Sequence, residues 1–238
     1  MIINSITSFL ALAPRTNASN GLARTIGIIG GALVFVLIIR FIMQKIARKR
    51  MLAMRTVAKQ LGWTFFAEAP LTYIHDVENF PLFNEGHGKK LLNLMTGEAN
   101  GIKVSVFDYE YKTGGGKNVT VHRHSVVYLE PANLNLPYFS LGPEGLLTKI
   151  GAAFGYEDID FGQRPEFSRK FVLRGEDEPA IRRVFNDRLL SFYEGRIGMS
   201  TEAGGNQVFL YRTRQEFQPF EVQPNVGLGL ELVNLFHP

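Results

Sequence analysis

Ile26 to Ile39 is an uninterrupted run of apolar residues and glycine, and Thr25 to Met43 extends it to 19 residues with one charge, Arg40. At helical rise such a run is about 28 Å long, close to the ~30 Å hydrocarbon core of a bilayer. The pattern predicts a transmembrane helix over residues 25–43, with Arg40 near enough to one end for its guanidinium to reach the headgroups. Beyond it the period changes. Met54, Val57, Ala58 and Leu61 recur at i, i+3, i+4 and i+7 among Lys and Arg, predicting a basic juxtamembrane helix over 44–62 that stops at Gly62. Ile2 to Ala13 is apolar but too short to span. No basic stretch precedes it and Pro14 follows it, so residues 1–24 read as an interfacial or loosely ordered segment rather than a cleaved signal.

The remainder, 63–238, reads as a soluble domain. Trp63–Ala67 is a short strand, and Pro70, Pro81, Gly86 and Gly88 mark residues 70–90 as irregular. Leu91–Glu98, Ile102–Lys112 and Val119–Glu130 are rich in Val, Ile, Tyr, Phe and Thr. Asn100-Gly101 joins the first two and Gly114–Asn118 the second two, which predicts an antiparallel β-meander. Tyr138–Leu141 reads as an edge strand between Pro137 and Pro143, and Pro143 to Gly155 as a helix. Ser168–Arg174 is a strand. Glu176, Asp177, Glu178 and Pro179 open a helix whose buried stripe is Ile181, Val184, Phe185, Leu189 and Phe192. A hairpin around Gly204-Gly205-Asn206 and a helix over Asn225–Phe236 complete an α+β fold: one N-terminal transmembrane helix, then an antiparallel β-meander with flanking helices.

Charge orients the chain. Nine Lys and Arg lie in the first sixty residues and no acidic residue precedes Glu68, leaving 17 basic against 22 acidic residues in the rest. The net charge of +4 therefore hides a mildly acidic domain, which argues against a nucleic-acid partner. Lys45, Arg48, Lys49, Arg50 and Arg55 follow the span closely, whereas Arg15 and Arg24 precede it. The positive-inside rule predicts a single-pass protein of the cell (inner) membrane, N-terminus outside, C-terminal domain cytoplasmic, with the basic cluster on anionic headgroups. Gly27 and Gly31 form a GxxxG pair that suits close packing against a second copy or another membrane subunit, although glycine is common in such helices anyway. The absence of Cys excludes disulfides, thiol catalysis and Cys-ligated metals.

Candidate chemistry is sparse. Lys112-Thr-Gly-Gly-Gly-Lys117 lacks the helix that a phosphate loop needs and reads as a hairpin turn. A hairpin symmetric about Gly115 sets Asp108 opposite His122, with Glu110 and His124 on the same face. Asp108, His122 and His124 are then candidate catalytic residues, and Asp108, Glu110, His122 and His124 candidate metal ligands. The plainer reading is a solvated cross-strand charge pair, and a one-residue slip would separate the groups. Glu157, Asp158 and Asp160 lack calcium-site spacing and suit salt bridges to Arg164, Arg169 or Arg174. Tyr109, Tyr111, Tyr128, Tyr138 and Phe139 suit either a ligand groove or the core. No cofactor is predicted.

Phe80-Pro81-Leu82-Phe83, Phe107-Asp108-Tyr109-Glu110-Tyr111, Leu136-Pro137-Tyr138-Phe139-Ser140-Leu141, Asp158-Ile159-Asp160-Phe161 and Phe171-Val172-Leu173-Arg174-Gly175 resemble an uncharacterised family of N-terminally membrane-anchored bacterial proteins, over roughly residues 60–236. The resemblance brings no functional residues with it. The leading expectation is a membrane-anchored binding module, an accessory or scaffold subunit of a membrane-associated complex. Its rivals are a membrane-tethered enzyme with a His/carboxylate site and a lipid-sensing module.

Overall fold

The computed structural model describes residues 18–145 and 157–236. The chain divides into two units, the first ending at Arg50 and the second running from Met51. The first is the greater part of helix α1, Ala18–Leu61. Its stretch from Ile28 is long and apolar enough to cross a membrane, and every described side chain from Ile28 to Lys49 is exposed. The expectation for Ile2–Ala13 lies outside the described residues.

The last turns of α1 belong to the second unit. Met54 and Ala58 are wholly buried and Val57 and Leu61 pack beside them, as the 3.6-residue period requires. The helix ends in a Schellman turn. Gly62 takes φ +72°, its N–H donates to the Lys59 carbonyl (3.2 Å), and the Trp63 N–H donates to the Ala58 carbonyl (2.8 Å).

Among the described residues eight strands form one antiparallel sheet in the order β1-β2-β3-β4-β8-β7-β5-β6. They are β1 (Thr64–Ala69), β2 (His87–Ala99), β3 (Ile102–Thr113), β4 (Thr120–Glu130), β5 (Leu136–Pro143), β6 (Phe171–Gly175), β7 (Ser200–Gly205) and β8 (Gln207–Tyr211). The meander β2-β3-β4 is present as expected, and Asn100 and Gly101 turn its first hairpin with φ +54° and +74°. The helices α2 (Pro165–Lys170), α3 (Glu178–Val184), α4 (Asp187–Glu194) and α5 (Val222–Phe236) complete an α+β fold.

The sheet separates two cores. On one face Val104, Val106, Val127, Leu129, Val208 and Leu210 pack with helix residues such as Phe167, Ile181, Leu189 and Leu232. On the other, Phe107, Tyr109, Tyr128 and Phe209 are covered by residues 70–86, three short 3-10 turns carrying Ile74, Phe80, Leu82 and Phe83. The alternation of a two-residue period thus buries both faces of the central strands. A bulge at Asn93 (φ +52°) breaks that period in β2, so that Leu91 and Leu94 face one core and Met95 the other.

The strand expected from Ser168 begins only at Phe171, Ser168–Lys170 closing helix α2 instead, and three further expectations need correction. The strand around Tyr138–Leu141 is interior rather than an edge, lying between β7 and β6. Pro143 is its last residue and pairs with Phe171, so it does not open a helix; the rest of the helix expected to Gly155 falls mostly outside the described residues. The single helix expected after Glu176 is two. Phe185 leaves helical geometry, and the Asn186 side chain accepts from the Arg188 and Leu189 N–H groups (both 3.1 Å), starting α4 afresh.

Candidate functional site

Residues of β3 and β4 sit where they do because of one loop. The ladder closes Thr113 on Thr120, so its midpoint lies between Gly116 and Lys117 rather than at Gly115. Tyr109 therefore faces His124, Tyr111 faces His122, Asp108 faces Ser125 and Glu110 faces Arg123. The offset is odd, and the alternation of side chains places the two histidines on one side of the sheet and the two carboxylates on the other. The convergent Asp108, Glu110, His122 and His124 set is not formed. Among the described residues no group of three or more His, Asp or Glu is placed to hold a metal ion.

Each group has its own surroundings. The Asp108 carboxylate, 1 % exposed, accepts from the Asn93 amide (2.8 Å) and the Ser125 hydroxyl (2.5 Å). Ser125 in turn accepts from the Phe217 N–H (2.8 Å) and donates its own N–H to the Gln215 carbonyl (2.9 Å). This buried network pins the segment after β8 onto β4, where the β4–β8 ladder has ended at Val126–Tyr211. Glu110 pairs with Arg123, whose Nε donates at 2.6 Å.

The histidines lie among aromatic rings. His122 stacks on Tyr111 with centroids 4.8 Å apart, and its Nε2 bonds Thr113 Oγ1 at 2.7 Å. His124 stacks on Tyr211 (5.2 Å), with Tyr109 at 5.6 Å and Tyr111 at 6.1 Å. It is 2 % exposed, and neither ring nitrogen has a hydrogen-bond partner among the described residues. Burial lowers its pKa to about 4, the charge on Asp108 opposing and that of His122 adding to the effect. The imidazole is a neutral member of the core at ordinary pH.

A group not singled out by sequence pattern completes this layer. Glu202, midway along β7, is fully buried and accepts from the Leu82 N–H (2.9 Å) and the Tyr211 hydroxyl (2.8 Å). Burial pushes its carboxyl up to about 7, against the two hydrogen bonds. Through Leu82 it fastens the 70–86 cover to the sheet. The one available signal was an acidic residue inside a strand of otherwise small, uncharged residues. Tyr109, Tyr111 and Tyr128 are buried in this layer and Phe139 in the opposite one, whereas Tyr138 is half exposed and rests on Gly204.

The acidic stretch around residue 158 serves the backbone, and the Arg174 charge also acts on the Asp158 carboxyl. Asp158 accepts from the Leu173 N–H (2.9 Å), and the Ile159 N–H donates to the Leu173 carbonyl (2.8 Å), which covers part of the outer edge of β6. Arg164 binds Glu194, Asp187 and Ser191, and Arg169 binds Glu166. In the first unit, Lys45, Arg48 and Lys49 are exposed, and Gly31 meets nothing within 4 Å of a β-carbon position, leaving its face of the helix open. Gly27 lies in the same helix.

One apolar helix followed by a three-layer antiparallel α+β domain defines the class of protein. No family model matches the chain, and no curated protein matches it. Among solved structures it is similar to the crystal structure of the mycobacterial trehalose monomycolate transport factor A, TtfA, with a TM-score of 0.52 and 14% identity over 79% of this chain and 93% of that one. At that identity the likeness is one of fold.

Proposed function

We propose that this protein is a membrane-anchored accessory or scaffold subunit of a membrane-associated complex that handles lipid. The observation that carries the reading is the shared fold with a protein titled a trehalose monomycolate transport factor, which spans most of both chains. The apolar α1 supports it as an anchor. So does the use of the polar groups in the domain: Asp108, Glu110, His122 and Glu202 are each engaged in holding strands and cover together. The resemblance to membrane-anchored bacterial proteins is in keeping with this, as is an N-out orientation with the domain in the cytoplasm, argued from the Lys and Arg that follow the span.

Purification of tagged full-length protein from its native host in mild detergent, with mass spectrometry of what accompanies it, tests the reading. A stoichiometric membrane-protein partner is expected. C-terminal reporter fusions test the orientation, and activity only outside the cytoplasm would reverse it.

A further inference from the structure

The junction between α1 and β1 forms a cleft of about 390 Å³ lined by Arg55, Thr56, Lys59, Trp63 and Phe65. Arg55 and Lys59 are four residues apart, so their stems rise from one face of the helix. Both are exposed, and neither has an ion-pair partner among the described residues. The wall opposite them is aromatic. The Schellman turn that ends α1 sets Trp63 directly after Gly62, four residues beyond Lys59, in a fixed geometry. The indole lies over Gly97, where a β-carbon would stand 2.2 Å from its Cδ1, so only glycine leaves it this seat. Phe65, two residues along the strand, lies on the same side.

We infer that this cleft binds an anionic phosphate ester, the chemistry of a phospholipid headgroup. Two cations on a helix, with no carboxylate against them, supply charge-assisted hydrogen bonds to phosphate oxygens, and the Trp and Phe rings supply an apolar wall for the glycerol end. Their backbone positions are fixed by helix, turn and strand, so only the Arg and Lys side chains need ordering on binding. The site does not depend on the accessory-subunit reading, since its occupant is not a protein.

Trp63 is the one tryptophan in the chain, so intrinsic fluorescence reports directly on the cleft. The experiment titrates full-length protein in a neutral detergent with short-chain phosphatidylglycerol, short-chain phosphatidylcholine and glycerol phosphate. A saturable change in Trp63 emission with phosphatidylglycerol is expected, about tenfold weaker or more with phosphatidylcholine, and about a hundredfold weaker in Arg55→Gln with Lys59→Gln, each charge-assisted bond being worth about tenfold. Tighter binding of phosphatidylglycerol than of glycerol phosphate assigns the site to lipid. Equal binding assigns it to a free phosphate ester. No saturable change with either anion, or a response unaltered in the double variant, overturns the inference. Loss of a partner protein in the purification experiment would leave this result untouched.

Discussion

The Tyr211 hydroxyl donates to Glu202 at 2.8 Å across the β7–β8 hairpin, inside a layer that water does not reach. The same carboxyl holds the Leu82 N–H of the overlying cover, so one buried acid joins two strands to an irregular segment more than a hundred residues earlier.

The acid makes stability depend on pH. Its pKa rises from the ordinary glutamate value of 4.5 to about 7 on folding. The stabilisation it gives is complete below about 4.5 and is lost as pH rises through about 7, a range on the order of 3 kcal/mol at 1.4 per unit. Glu202→Gln keeps an acceptor and removes the charge. Chemical denaturation across pH should show the stability of the wild type relative to this variant falling by about that much between pH 4.5 and 7.

His124 acts in the opposite sense. Its pKa falls from 6.5 to about 4 on folding, so its contribution is present above 6.5 and is lost as pH falls through about 4. The two groups offset each other between about 4.5 and 6.5 and should leave the wild-type protein nearly flat there. His124→Phe fits the stack with Tyr211 and removes two nitrogens without partners among the described residues. It should be neutral or stabilising at pH 7, and its stability should rise on acidification to about 4.5, whereas that of Glu202→Gln should fall.

Asp108 has a structural part to play. Asp108→Ala leaves the Asn93 amide and the Ser125 hydroxyl without their acceptor in a dry site, at a cost of about 1–3 kcal/mol for each group left unsatisfied. Denaturant midpoints should drop accordingly, and hydrogen exchange should quicken around Gln215–Phe217, which Ser125 tethers. Unchanged stability would show that the network does not hold that segment.

What could be read from the chain was local. The apolar run, the buried pair Met54 and Ala58, and the Asn100-Gly101 turn depend on residues within a few positions of one another. The faces of His122 and Asp108 depended instead on where a six-residue loop closes, and an odd offset moved one pair across the sheet. The interior place of β5 depended on pairings with β6 and β7, at sequence separations that no periodicity encodes. Asn186 was a cap signal hidden within a continuous helical stripe. Glu202 carries no motif, because burial of a lone acid arises only once the 70–86 cover is in place.

Gly31 tests the packing role of the anchor. Nothing lies within 4 Å of its β-carbon position, so Gly31→Leu should leave the fold intact. If helices associate through this face, the bulkier residue should abolish that association in light scattering of the detergent-solubilised protein.

The most direct test is isolation of the tagged full-length protein from its host in mild detergent, followed by quantitative mass spectrometry. A membrane-protein partner recovered at constant stoichiometry, and lost when α1 is replaced by an unrelated span or the domain is removed, is the predicted result. Protein that returns reproducibly alone under conditions that preserve other membrane complexes would contradict the accessory-subunit account.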